Sequence, residues 1–386
     1  MAVDILGYTI ILPLLPFYAE RMGASPSVVG ALVSVYAVFQ LIAGPILGKL
    51  SDQFGRKPLL IVSQIGTLIG FIVLAFAHSL WVVFLSRTID GITAGNLSLA
   101  QAYISDVTPP KDRARSFGII GIAFGVGFLL GPALSGFLSQ YGFQYPIFAA
   151  VGLSATSILA TSLLLPGKPK PVESGGEPGP GGKRLSLLQW GEYVDYFRRP
   201  VMAPLLWKFF SYVFSFSIFV GGFALFAERR YMYQGHPFGP KEVGYVFAYS
   251  GLVGGTLQGG MLGQLVKRFG ERALLVSSLL ACFVAYVVLG FAYTVPILLL
   301  SSTIAAFGGV ARPVVTSLIT QVAERNEQGA VLGLTQSLMS VAQITGPLLA
   351  GVLIENHLLT AWALAAAGVA LAGWLVRLPK GPLATH

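Results

Sequence analysis

Charge is what this chain has least of. Only 11% of its 386 residues are Asp, Glu, Lys or Arg, where a soluble globular protein carries about 25%. With 54% hydrophobic residues and a mean hydropathy of +0.74, a soluble globular chain is excluded and an integral membrane protein is expected. Cysteine is nearly absent, and the single Cys282 leaves neither a disulfide framework nor a multi-cysteine metal site. The four histidines are scattered and no Gly-rich phosphate loop of the Walker type is present, so nucleotide hydrolysis has no apparatus. Nor is there a nucleophile–base constellation or metal set that would make an enzyme, and no cofactor is called for. The apolar stretches run continuously, whereas a membrane β-barrel would alternate in strands of about ten residues. The expected class is an all-α membrane protein.

What is present is a succession of apolar segments. A span needs roughly 20 such residues, and breaking the hydropathy at charge and turn clusters predicts twelve of them. They cover residues 2–18, 27–48, 58–78, 80–105, 117–140, 144–165, 201–226, 243–265, 273–293, 295–321, 330–354 and 358–377. The first has no basic leader region and no small-residue cleavage site, so it reads as a retained helix, with a few cytosolic residues expected upstream.

Eighteen Lys and Arg residues fall on the even-numbered junctions and the C-terminal tail, against four (Arg21, Arg229, Arg230, Lys241) on the odd-numbered junctions. This asymmetry predicts cytoplasmic termini. It also assigns the net charge of +9 to loops on one membrane side, so no nucleic-acid partner is expected. A stretch from Pro166 to Gly182, in which 11 of 17 residues are Gly or Pro, predicts a flexible cytosolic linker. After it, Leu187, Trp190, Val194 and Phe197 form the stripe of a short surface helix. The domain organisation is then 1–165, a linker over 166–200, and 201–386.

The two halves repeat at a constant offset of 215 residues. Gly44, Leu47, Gly48, Leu50, Phe54 and Gly55 recur as Gly259, Leu262, Gly263, Leu265, Phe269 and Gly270. Gly118, Gly131, Pro132 and Gly136 recur as Gly333, Gly346, Pro347 and Gly351. Two independent matches in one register predict a duplicated pair of pseudo-symmetric six-helix bundles, an arrangement used for alternating access to a site near the midplane.

Five charges stand inside the predicted spans: Asp4 in the first, Arg87 and Asp90 in the fourth, Lys208 in the seventh and Arg312 in the tenth. Each costs about 2.5–3.5 kcal/mol at the bilayer centre unless it meets a partner or water, so each is a candidate functional residue. Arg87 and Asp90, three apart on a helix, share a face. Asp4 and Asp90 are the candidate proton carriers, since a carboxylate facing both water and a cation can exchange a proton. Arg312, Lys208 and Arg87 are candidate substrate contacts, and their excess over the two acids favours a ligand with an anionic or polar group on an apolar body. A static Arg87–Asp90 pair, an Arg312 that serves the carbonyl freed by Pro313, and a Lys208 that snorkels to the surface are the structural alternatives. Tyr8, Gln40, Asn96, Gln101, Tyr212, Gln336 and Gln343 are further candidate contacts or helix-packing polar groups.

Three motifs carry a family resemblance. Gly48-Lys-Leu-Ser-Asp52-Gln-Phe-Gly55-Arg56-Lys57 resembles the loop 2–3 signature of the major facilitator superfamily, and Arg87-Thr-Ile-Asp90-Gly91 resembles its fourth-helix motif, with Asp90 where many members have Gln. The run through Gly118, Gly127, Gly131, Pro132, Ser135 and Gly136 is similar to the fifth-helix motif of drug/proton antiporters. Asp4 to Pro16, Gly91 to Asn96 and Asn326 to Gly329 resemble the tetracycline-efflux-like branch, except that Gly70-Phe71 stands where tetracycline exporters carry an acid and the ninth segment has no carboxylate. Asn96-Leu-Ser98 is also similar to animal relatives that handle organic anions.

The resemblance implies the major facilitator fold, with segments 1, 4, 7 and 10 lining a central cavity. It implies export of small amphipathic, drug-like compounds by proton antiport through alternating access, with an organic-anion or lipid-like substrate carrier as the alternative. It further implies that Asp52 faces the N-terminal end of the eleventh helix near Gly329, where the helix dipole favours a carboxylate. Gly48, Asp52, Gly55 and Arg56 are thereby candidate gating residues, as are Gly127, Gly131 and Pro132 of the Gly-rich fifth helix, expected to pack closely between the halves. The expected partners are a small-molecule substrate, protons and the lipid bilayer, and the expected state is a monomer in a bacterial inner membrane.

Overall fold

The computed structural model describes residues 2–108, 113–166, 190–324 and 327–379. The Pro166–Gly182 linker lies outside these residues but for Pro166 itself. Apolar helices form over every predicted span, and the breaks between them fall at Gly, Pro and polar turns. The first span is α1 (Ala2–Ile11) and α2 (Leu15–Arg21), interrupted before the Pro16 that opens α2; then come α3 (Pro26–Phe54) and α4 (Arg56–Ala75). The fourth is split into α5 (Leu80–Ile92) and α6 (Asn96–Val107), followed by α7 (Arg113–Ser139) and α8 (Gln144–Leu164). The predicted surface helix is α9 (Trp190–Arg198), and α10 (Met202–Arg230) follows. The eighth span is α11 (Pro240–Gly255), a π-helical stretch over Thr256–Met261, and α12 (Leu262–Phe269). The remainder are α13 (Glu271–Gly290), α14 (Val295–Gly308), α15 (Ala311–Val322), α16 (Gln328–Glu355) and α17 (Leu359–Leu375). Among the described residues eight helices or helix pairs are long and apolar enough to cross a membrane, and Gly125–Ser139 and Leu359–Leu375 are shorter apolar helices.

The 215-residue repeat extends to element boundaries and to tertiary hydrogen bonds. α4 and α13 begin and end at equivalent positions, as do α6 and α15. In the first copy Ser86 Oγ donates to the Gly70 carbonyl at 2.9 Å, and in the second Ser301 Oγ donates to the equivalent Ala285 carbonyl at 2.7 Å. Arg56 meets Asp106 at 2.9 Å, and its counterpart Glu271 accepts from Gln321 at 2.9 Å, the pair preserved in place with its chemistry changed. Gly55 and Gly270, equivalent again, turn α3 into α4 and α12 into α13 at φ of +95° and +78°, a backbone conformation that favours glycine.

By contact the chain divides otherwise than at the linker. The described residues of 1–175 pack with 223–255 in one compact unit, and those of 176–222 with 256–386 in the other. In the first unit α1 packs on α7 and α8, α4 on α5 and α8, and α7 on α11. A Cβ at Gly244 would stand 2.5 Å from the Pro132 carbonyl oxygen, and one at Gly136 would stand 2.9 Å from that of Lys241. The backbones of α7 and α11 therefore touch, as small residues permit in a membrane. Arg229 on α10 closes on Glu20 of α2 at 2.5 Å. In the second unit α13 packs on α14 and α17, and Trp362 Nε1 donates to the Ile218 carbonyl at 3.0 Å.

Candidate functional site

The fourth span breaks at Thr93–Gly95, and the break is where the first unit concentrates its polar chemistry. Interrupting a helix frees backbone groups that lipid cannot satisfy. Ser63 of α4 serves two of them, donating to the Thr93 carbonyl and accepting from the Gly95 N–H at 2.9 Å. Arg87 and Asp90 lie on the turn before the break and Asn96 opens the helix after it.

Arg87 and Asp90 are each 3% exposed, and Arg87 Nη2 stands 3.3 Å from Asp90 Oδ2. Asp90 is also hydrogen-bonded to Thr67 of α4, and Asn96 Nδ2 reaches the same Thr67 hydroxyl at 3.5 Å. Arg87 lies about 6 Å from the rings of both Tyr36 (6.0 Å) and Phe71 (5.9 Å). Tyr36 accepts from Gln40 Nε2 at 3.1 Å and lies 6.0 Å from Tyr8, ring to ring. The structure thus brings Arg87, Asp90, Asn96, Tyr8 and Gln40 into one neighbourhood. Its polar inventory is incomplete: Arg87 Nε and Asn96 Oδ1 are buried without a hydrogen-bond partner among the described residues, and such groups cost about 1–3 kcal/mol each unless something pairs with them. A Cβ at Gly70 would stand 3.1 Å from the Asp90 Cβ, so the third span leaves the space that Asp90 fills.

Asp4 on α1 is separate. It is partly exposed, and its carboxylate accepts from Gln64 Nε2 at 3.1 Å, an amide that also reaches Ser157 of α8 at 3.1 Å. Gln64, Thr67 and Tyr36 were not singled out from sequence. Gln64 and Thr67 stand three apart on one face of an apolar helix, a signal that was available.

In the second unit Arg312 opens α15 just beyond a break at Gly309–Val310. It is exposed, and its Nη2 donates to the Met339 thioether at 3.4 Å, not to a carbonyl freed by Pro313. Tyr212 is buried, within electrostatic reach of Arg312 and stacked on Phe216. Gln336 is exposed and Gln343 partly so, as Gln101 is exposed in the first unit.

Lys208 departs from expectation. It is fully buried, and its ammonium donates to the carbonyls of Gly373 at 2.9 Å and Trp374 at 3.4 Å, at the C-terminal end of α17. Helix carbonyls at that end lack intrahelical partners and attract a cation. It neither snorkels nor offers a free charge to a ligand, so it is an anchor between α10 and α17. Lys208→Met is accordingly expected to cost about 1–3 kcal/mol through the unpaired carbonyls, seen as a lower melting temperature in detergent. Substrate KM is expected to stay within about twofold of wild type; a large rise in KM at unchanged melting temperature is the opposite result.

The candidate gating residues fall into two groups. Arg56 contacts Asp52 at 2.6 Å, Ser51 at 2.5 Å and Asp106 at 2.9 Å, while Lys57 donates to the carbonyls of Ser162 and Leu165 at 2.8 and 2.6 Å. The turn that Gly55 makes is thereby strapped to the ends of α6 and α8, while Gly48 has open space around it. Gly127 and Gly131 pack against α1: a Cβ at Gly127 would meet Ile5 Cγ2 at 2.6 Å, and Thr9 Oγ donates to the Gly127 carbonyl at 2.8 Å. Close packing from the expected C-terminal half comes instead to the Pro132 carbonyl and Gly136. Among the described residues no cluster of His, Cys, Asp and Glu could hold a metal ion.

Duplicated sets of apolar segments, with interrupted helices carrying embedded charges, define a membrane transporter built on internal repeats. Comparison with known proteins names the family. The family description "Major Facilitator Superfamily" matches residues 1–262 and 231–385, and the chain belongs to that superfamily. It is 30% identical over 360 residues to the class C tetracycline resistance protein of Escherichia coli, covering 90% of this chain and 86% of that one. It is 28% identical to multidrug resistance protein 2 of Bacillus subtilis (strain 168), covering 92% and 87%. Among solved structures, the human organic anion transporter MFSD10 (TETRAN) matches at 25% identity and a TM-score of 0.72, over 97% of this chain and 96% of that one. The protein is a multi-pass membrane transporter of small molecules and not an enzyme.

Proposed function

We propose that the protein exports small amphipathic organic compounds in exchange for protons by alternating access, and that Asp90 is the principal proton carrier. The observation that carries this reading is the Arg87–Asp90 pair, 3.3 Å apart and nearly excluded from solvent beside an interrupted helix. Protonation of Asp90 cancels its charge and releases Arg87; loss of the proton restores the pair. A cycle that couples those two states to opposite-facing conformations moves one proton for each full round of two switches. The tetracycline exporters that the sequence resembles carry their acid on the third span. Here the corresponding Gly70 faces Asp90, so the carboxylate reaches the same region from the fourth. Asp4, held by Gln64 nearer the expected cytoplasmic end, serves as a second station. The drug-resistance functions named for the tetracycline and multidrug relatives agree with export.

In this reading both termini lie in the cytoplasm, and the membrane is a bacterial inner membrane. A second reading, carriage of organic anions with optional proton coupling, is favoured by the exposed Arg312 and by the function named for the human relative.

Liposomes loaded with a pH-sensitive dye, carrying a proton gradient and exposed to cationic, zwitterionic and anionic amphiphiles, test the choice. Antiport predicts a substrate-triggered proton signal, reduced but still present in Asp4→Asn. Labelled anions that cross with no proton signal, and are stopped by Arg312→Ala, replace the antiporter by the anion carrier.

A further inference from the structure

The two copies of the repeat differ most at the positions that carry polar chemistry. Arg87, Asp90 and Asn96 of the first copy correspond to Ser302, Ala305 and Ala311 of the second, while Gln258 and Arg312 of the second correspond to Ala43 and Leu97 of the first. The second span's continuous α3 also has its counterpart interrupted: Thr256–Met261 is π-helical, where the equivalent residues of the first copy are regular helix. A π-helical turn inside an α-helix is costly to keep and recurs at functional sites.

Gln258 sits in that turn. Its side-chain nitrogen stands 3.1 Å from where a Cβ on Gly309 would be, so the amide lies against the break between α14 and α15, one turn before Arg312. Gln258 and Arg312 are both exposed, and Gly259 and Gly260 beside Gln258 have open space around them. Lipid is a poor environment for a guanidinium and an amide in mid-span, which places these two groups toward water. The guanidinium has no better acceptor than the Met339 thioether among the described residues, and a thioether accepts weakly. The predicted span ranges of the second copy contain no carboxylate, Glu228, Glu242 and Glu355 lying toward helix ends and Glu271 at the start of α13 with Ser317 and Gln321. The stacked Tyr212–Phe216 pair lies on the adjoining α10.

From this we propose that Gln258 and Arg312 form a recognition site for an oxyanion, such as a carboxylate or sulfonate, on an aromatic substrate, with the guanidinium and the Gln258 amide N–H groups donating and Gln258 setting the preference for anion over cation. The site deepens the transport reading given above but not its proton coupling, and the first copy carries the proton while the second reads the substrate.

Two xanthene dyes of similar body and opposite charge, fluorescein and rhodamine 6G, test it by fluorescence anisotropy on the full chain in detergent with no gradient. Wild type is expected to bind fluorescein more tightly. Gln258→Met, which keeps length and packing, is expected to weaken fluorescein about tenfold, the scale of one hydrogen bond to a charged group, and to leave rhodamine 6G unchanged. Gln258→Glu is expected to reverse the preference, and Arg312→Ala to lose fluorescein binding. Equal affinity of wild type for both dyes, or a Gln258→Met protein that binds both as wild type does, overturns the proposal. Equal weakening of both dyes together with a lower melting temperature overturns it too, since Gln258 then only supports the π-helical turn. Binding is read without protons, so loss of the dye preference sinks this site alone, and absence of the liposome proton signal sinks the antiport alone.

Discussion

Asp90→Asn is expected to abolish the substrate-triggered proton signal in liposomes, a fall of at least about a hundredfold in coupled turnover, the scale on which removal of a positioned proton-transferring group acts. The amide has nearly the shape of the carboxylate, so Thr67 keeps a hydrogen-bonding partner. What is lost is the exchangeable proton and the negative charge opposite Arg87. That second loss has a structural cost: removing one member of a buried ion pair destabilises by about 3–5 kcal/mol because the other charge is left uncompensated. A silent Asp90→Asn protein could therefore be an unfolded one. The double variant Arg87→Gln with Asp90→Asn removes both charges, and is expected to melt closer to wild type while remaining uncoupled. A double variant that folds and still gives the full proton signal assigns coupling elsewhere, with Asp4 the next carboxylate.

The difference expected between Asp90 and Asp4 follows from their surroundings. Asp4 is partly exposed and shares Gln64 with Ser157, so losing its charge leaves a site that water can reach. Its removal is graded where removal of Asp90 is complete.

Much of the fold was legible because membrane burial writes itself directly into composition. Each predicted span contains helix, and α9 is helical over the described part of the stretch read as a surface helix. The 215-residue offset, read from a few glycines, holds for α4 against α13 and α6 against α15 to the residue. The interruptions were not legible. The fourth span breaks at Thr93–Gly95 without a proline, and the π-helical turn follows glycines that could equally have marked close packing. Long-range partners were also hidden. Lys208 finds its carbonyl 165 residues away, and no local pattern distinguishes a lysine that anchors a helix end from one that binds a ligand. The embedded charges were found, since an ionisable residue in an apolar run is conspicuous, but which of them meet was a matter of tertiary packing.

The glycines of α7 show where more could have been read. Gly127 and Gly131 are four apart and lie on one face, while Gly136 is five further on and turned away by well over a quarter of a turn at 3.6 residues per turn. One face meets α1 and the other meets α11. Gly131→Val is therefore expected to remove folded protein and not merely to slow a gate. Its Cβ would stand 2.7 Å from Thr9 Cβ and 2.9 Å from the Thr9 carbonyl carbon, and a backbone atom cannot rotate away. The cost exceeds the roughly 1–3 kcal/mol of ordinary overpacking. Gly346→Val, the same position of the second copy, would meet Ser217 Cβ at 2.8 Å and the Ile218 nitrogen at 2.9 Å, so it is expected to fail in the same way. Gly48→Ala and Gly333→Ala have nothing within 4 Å and are the controls, expected to accumulate and melt as wild type does. Monodisperse yield and melting temperature in detergent read all four. A Gly131→Val protein that accumulates normally and loses only turnover would show that the α1–α7 contact opens during the cycle, and would return this glycine to the gate.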